Sequence, residues 1–217
     1  MLGNAPSSWP GTNPGVPAVC GPLAHSIRDV RLLMKVVRSF EPWMGDPAII
    51  PGIFETPTNT RLPVIGVIRQ SALTPHPPVR RAIEEAVTKL RTAGFNVKEF
   101  SPPDFSEIKR ITQELFTLDG LSYARREMGL TGEPVLDSIV KLGLWKRKRK
   151  QVEEIWAWNA KKIAYEKKML DSWQAAGIDV ALCPAGPHSA VPRGEWSNTM
   201  YTVCWNGVDV CLWKPDC

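Results

Sequence analysis

The chain has 217 residues, 43% of them hydrophobic, and a formal net charge of +5 from 27 lysines and arginines against 22 acidic residues. That length accommodates one large domain or two small ones, and that apolar fraction excludes wholesale disorder. No apolar run reaches the length of a membrane span, and the opening MLGNAPSSWPGTNPG lacks the basic region and apolar core of a secretory signal, so the expected compartment is the cytoplasm.

Residues 1–20 are rich in Pro, Gly, Ser and Asn and read as an irregular loop. So long an irregular opening is expected of a chain that starts inside a larger fold. Gly21-Pro22 then makes a stop, and Ser26 with Asp29 three residues on matches a capping box. Ile27, Val30, Leu33, Met34, Val37 and Phe40 follow at helical spacing, which predicts an amphipathic helix packed on a sheet. Five prolines between residues 42 and 63 mark a long surface connection. VIGVIR (64–69) reads as a buried strand. Val79, Ala82, Ile83, Ala86, Val87, Leu90 and Ala93 give the second helix one apolar face, and Gly94 ends it. FNVKEF (95–100) is the next strand, so strand, helix and strand form a βαβ unit with parallel strands.

Ile108, Ile111, Leu115 and Leu118 predict a third helix, with Asp104 or Ser106 as its cap. VLDSIVKLGLW (135–145) predicts a short one. A long helix is expected from about residue 150 to Ala176, with Val152, Ile155, Trp156, Asn159, Ile163, Leu170 and Trp173 on its packed face. Gly177 stops it, and IDVALCP (178–184) is the third strand. Alternation of this kind predicts an α/β fold with a largely parallel sheet covered by helices.

Chemistry-bearing residues are sparse. Cys20, Cys183, Cys204, Cys211 and Cys217 fit no zinc or C-x-x-C spacing and are expected as reduced thiols, with Cys183 buried and inert. His25, His76 and His188 are scattered and lack a paired carboxylate motif, so no metal site and no cofactor is expected. Lys146–Lys150, KRKRK, has no interleaved aromatics and is followed by Glu153 and Glu154, so a solvated face is expected rather than a nucleic-acid patch.

The wording of several segments is more specific than their periodicity. GPLAHSIRD at residue 21 resembles the segment downstream of the nucleophile in the amidase signature family, most closely its fungal acetamidase-type members. LPVIGVIRQ, TPHPPVRRAIEEAVTKLRTAGFNVKEF, Asp119-Gly120, the helix holding Trp156 and Asn159, DVALCPAGPHSAVP (179–192) and YTVCWNGVDV (201–210) resemble the same family in order. The resemblance implies part of the amidase-signature fold, a large mixed, largely parallel sheet wrapped by helices. It implies hydrolysis of carboxylic amides through a Ser–cis-Ser–Lys triad, with backbone N–H groups of a glycine-rich segment stabilising the oxyanion.

The family carries that triad in a Gly/Ser-rich signature ahead of the Gly-Pro-Leu-Ala segment. This chain has no Gly-Gly pair, and its one Ser-Ser, Ser7-Ser8, lies between Pro6 and Trp9. No catalytic residue is therefore assigned. The expectation is one partial amidase domain over 1–217: an irregular loop (1–20), an amidase-like portion (21–210) and a divergent tail (211–217), inactive alone. The resemblance places Asp119, His188 and Trp205 near the acyl pocket, with a helix-end role as the other reading of Asp119. A small amide is the substrate of the full-length family. No nucleic acid and no membrane is expected as a partner, and a homo-oligomer or a complementary chain is allowed. The alternative is a non-catalytic interaction domain derived from an amidase.

Overall fold

The structure is a computed structural model describing residues 16, 21–46, 49, 61–196 and 198–208. The chain forms two compact units, residues 1–60 with 214–217 and residues 61–213. In the first, α1 (Ile27–Ser39) starts where Ser26 is extended and its Oγ accepts the Asp29 N–H at 3.2 Å. A single 3-10 turn, Pro42–Met44, follows. The sequence places an apolar face on α1, but none of the helix is buried: Ile27 is 73% and Phe40 80% exposed. The unit's described residues supply no sheet to cover that face. The expected loop at 1–20, apart from Val16, and the tail at 211–217 lie outside the described residues.

The second unit is α/β. Its sheet has three parallel strands, β1 (Ile65–Val67), β2 (Val97–Glu99) and β3 (Val180–Leu182), in the order β2-β1-β3. Ile65 is opposite Val97 on one side and Val180 on the other. All of β1 is buried, as expected of a central strand. Side chains alternate between sheet faces. On one face Val67 meets Ile83 and Val87 of α2 (Pro77–Thr92), with Val97 and Leu182 alongside. On the other, an added Cβ on Gly66 would lie 2.5 Å from Ile178 Cδ1 and 3.0 Å from Phe100 Cβ. Only glycine lets those side chains close over the strand there. Of the seven expected α2 face residues only Ile83 and Val87 are buried. Gly94 takes φ 88° just past the helix, the conformation that ended it in the sequence.

Two ties fix the strand ends. Asp179 receives both Arg61 guanidinium nitrogens at 2.9 Å and the Val64 N–H at 2.7 Å, pinning the start of β3 to that of β1. Arg69, beyond β1, bridges Glu84 of α2 and Glu99 of β2. The guanidinium holds the Glu84 carboxyl below its usual range.

A second packed layer is helical. α3 (Phe105–Leu115) starts where Asp104 accepts the Ser106 N–H at 2.9 Å. It buries Phe105, Ile108, Ile111 and Leu115 against α6 (Val152–Ala176) and α7 (Met200–Gly207). Gln151 and Glu154 complete a reciprocal cap at the start of α6, and Gly177 closes it at φ 58°. The buried stripe of α6 is Lys162, Tyr165, Met169 and Trp173. Of the expected face only Trp173 is buried, while Val152, Trp156 and Ile163 are exposed and Asn159 is half-buried. The reason is chemical: α6 has apolar residues on two sides, and the stripe ending in the long-stemmed Lys162 is the one that meets α3. The short helices are α4 (Ser122–Thr131), which buries nothing, and α5 (Asp137–Lys141).

The basic run is also corrected. Lys146, Lys148 and Arg149 are exposed, but Arg147 and Lys150 turn inward onto Glu114 of α3, itself 8% exposed, with Lys150 Nζ 2.5 Å from its Oε2. The Lys150 N–H donates to the Leu118 carbonyl at 2.9 Å, and Arg149 bridges to Asp119 in antiparallel sense. Gly120 (φ 64°) lies beneath this strap, where a Cβ would come within 2.6 Å of the Arg149 nitrogen.

Candidate functional site

The loops after β1 and β3 meet α7. After β1, the Ser71 N–H donates to the Tyr201 hydroxyl at 3.1 Å, and that hydroxyl donates to the Leu73 carbonyl at 2.5 Å. After β3, the His76 N–H donates to the Pro187 carbonyl at 2.7 Å. Tyr201 is therefore the post that holds one loop against the helix, and Pro187 joins the two loops. Phe105 of α3 packs edge-on to Tyr201 and Trp205, with centroids 6.3 and 5.6 Å apart.

His188 lies in the β3 loop. Its Nδ1 is 2.8 Å from the Ser189 carbonyl, which only accepts, so the Nδ1–H donates there. Its ring stands edge-on to Trp196 at 4.8 Å and 6.3 Å from that of His76. Trp196 in turn covers Gly186, where a Cβ would come within 3.1 Å of the indole. Trp205 sits on α7, edge-on to Phe105 and beside Cys183, whose thiol pKa it acts to lower. Asp119 faces a different partner set. Its carboxylate accepts the Leu121 N–H at 2.9 Å, the Ser122 hydroxyl at 3.2 Å and the Tyr123 N–H at 3.0 Å, capping α4. The helix-end role read from the sequence is thus formed. The partners of Asp119, His188 and Trp205 are three separate sets: the α4 start, the His76–Trp196 pair, and Cys183 with Phe105.

The thiols and the phenol between the loops are held in their neutral forms by burial. Burial pushes the Cys204 thiol up to about 12, with the nearby Cys183 adding to it. Burial also raises Cys183, against the opposing effect of Trp205, and raises Tyr201. The nucleophilic form of a cysteine is its thiolate, which burial disfavours at both sulfurs; Cys183, expected to be buried, is half-buried, while Cys204 is buried. Both are free cysteines. Among the described residues no group of three or more His, Cys, Asp or Glu could hold a metal ion. His76, Trp196 and Tyr201 went unassigned in the sequence. The hydrogen-bond partners of His76 and Tyr201 are more than a hundred residues away in the chain, whereas Trp196 meets His188 and Gly186 within its own loop.

A raised thiol has a consequence for stability. Unfolding returns Cys204 to an ordinary thiol that ionises near pH 8.5, well before the buried one. Its contribution is therefore complete below about pH 8.5 and is lost as pH rises toward about 12. We expect the melting temperature to fall across that window, and Cys204→Ala to flatten the fall relative to wild type in a pH series of thermal melts.

A family model described as Amidase matches residues 13–214. The chain is 31% identical over 201 residues to an amidase of Gibberella moniliformis, covering 90% of this chain and 38% of that protein. It is 27% identical over 211 residues to an acetamidase of Emericella nidulans, covering 89% of this chain and 38% of that protein. Among solved structures, a fatty acid amide hydrolase superposes with a TM-score of 0.76 at 28% identity, covering 89% of this chain and 35% of that one. The chain thus spans 38% of the length of these two curated relatives.

Proposed function

From the premise that the chain belongs to the amidase family, we propose that it is the non-nucleophilic portion of a hydrolase of carboxylic amides, supplying part of the acyl-pocket wall and inactive by itself. The observation that carries this is the family match over 13–214, joined to a sequence with no Gly-Gly pair and no Gly/Ser-rich signature. An unactivated hydroxyl is a poor nucleophile at neutral pH, so a chain without that signature has no group to attack the amide. In this reading residues 1–217 are one partial amidase domain. His188 and Trp205, on the β3 loop and α7, contribute to the pocket wall. Asp119 acts through α4. A small linear amide is the substrate of the complete enzyme, and the cytoplasm its place of action. Purified chain incubated with acetamide is expected to release no ammonia above a buffer control. Release above that control, abolished by heating the protein, would overturn the inactivity.

A second reading is favoured by one observation. The exposed stripe of α6, Val152, Trp156 and Ile163, is what a protein partner covers. In that reading the chain is an interaction domain derived from an amidase. Recovery of a discrete complex by co-purification, lost on Trp156→Glu, supports it. A monodisperse, partner-free chain counts against it.

A further inference from the structure

The strand order β2-β1-β3 makes a topological switch point between β1 and β3, because the chain leaves β1 for one neighbour and later returns to its other side. In parallel sheets ligands bind outside the carboxyl ends of the strands at such a point, where the loops part. Here the loops leaving β1 and β3 carry His76 and His188, whose rings stand 6.3 Å apart between centroids and are tilted by 59°. They are two of the chain's three histidines. We propose that His76 and His188 together bind one borderline divalent transition-metal ion, of the zinc or nickel kind, which ties the β1 loop to the β3 loop.

Four features support a metal at this pair. The first is spacing. A metal at an imidazole nitrogen sits about 2.1 Å from that atom and about 3.2 Å from the ring centroid, so two rings on one ion stand about 5–6 Å apart. The observed separation needs at most about 1 Å of closure, and His76, exposed at the start of α2, can supply it by a side-chain rotation. The second is orientation. The His188 Nδ1–H donates to the Ser189 carbonyl at 2.8 Å, the bond by which metal-binding imidazoles hold their ring and turn the other nitrogen to the ion. Trp196, edge-on at 4.8 Å, steadies the same ring. The third is the backbone. The His76 N–H donates at 2.7 Å to the carbonyl of Pro187, the residue before His188, so the main chains that carry the two ligands are already joined.

The fourth is that an anion is poorly served there. α2 begins with Pro77 and Pro78, which have no N–H, and the Val79 and Arg80 N–H groups both donate to the His76 carbonyl. The start of the helix therefore offers no donor to a phosphate or carboxylate. Imidazole nitrogen suits zinc, nickel and copper rather than magnesium or calcium, which take oxygen. Among the described residues no third His, Cys, Asp or Glu joins the pair, so water completes the coordination and the site is open and exchangeable.

The test is a nickel titration of the untagged 217-residue chain followed by NMR of its histidine rings, because the unpaired electrons of nickel broaden the protons closest to it. The lines of His76 and His188 should broaden together, at nickel concentrations that leave His25 sharp, and EDTA should restore them. His76→Gln should raise the nickel needed to broaden His188 at least about tenfold, since losing even a group that merely orients a metal ligand costs about 10–100-fold in affinity. His188→Gln should do the same to His76, and His25→Gln should change neither. Broadening of all three histidines alike would overturn the proposal, as would broadening of His76 or His188 alone. So would an unchanged response of His188 in the His76→Gln chain, or no broadening at excess nickel.

Discussion

Gly207→Ala should destabilise the chain by about 2–3 kcal/mol, read as a lower urea midpoint with an unchanged slope. Ordinarily such a change inside a helix stabilises by up to about 1 kcal/mol. Here the new methyl would lie 2.0 Å from Thr112 Oγ1 and 2.8 Å from Ile108 Cγ1, both on α3. Neither can step aside freely. Thr112 is fully buried and its hydroxyl donates to the Ile108 carbonyl at 2.8 Å, while Ile108 is fully buried in the helical layer. The helices must part instead, and the edge contacts of Phe105 with Tyr201 and Trp205 part with them. Thr112→Ala in the same chain should restore some of the loss by removing the nearer atom. Gly129→Ala is the control. It sits in α4 with nothing within 4 Å of the added Cβ, and should be neutral or stabilising by up to about 1 kcal/mol.

Glu114→Ala should cost about 3 kcal/mol or more. Removing one member of a buried ion pair leaves the other charged in a poor solvent, and such losses run to about 3–5 kcal/mol. Lys150, its side chain 8% exposed, is the residue left stranded; Arg147, at 36%, can turn to water and adds less. Replacing both Glu114 and Lys150 by methionine should recover most of the loss, because the apolar pair fills the volume without an orphaned charge. Faster amide exchange at Lys150, whose N–H bonds the Leu118 carbonyl, would locate the damage in the strap. A urea midpoint unmoved by Glu114→Ala would show that the pair contributes nothing to stability.

Much of the α/β layer was legible because local signals agreed with the fold. β1 is a short β-branched run behind a proline, α2 stops at a glycine, and α6 ends at Gly177. What escaped had no local signal. α4 has no apolar stripe and buries none of its residues, so periodicity had nothing to detect. The α6 face was misassigned because two stripes compete, and the winning one contains Lys162, whose ammonium reaches Glu166 at 2.5 Å. KRKRK read as uniformly solvated because the acid that turns two of its cations inward lies over thirty residues earlier, at Glu114. The candidate site divides the same way. A helix-end role for Asp119 was readable, but not which helix, since α4 had no signal of its own; the His76 ring is brought to His188 only by the pairing of β1 with β3.

The hold of Tyr201 on the β1 loop bears on the order of events during synthesis. β1, α2 and β2 lie close together in sequence and can assemble as soon as they leave the ribosome. α3 cannot bury Phe105 and Ile108 until α7, some ninety residues later, has emerged. For that interval, several seconds at about 5–20 residues per second, the described helix that buries the most residues stands open to water. The nascent polypeptide is then most in need of a chaperone, and a ribosome stalled short of Met200 would release a species with α3 uncovered.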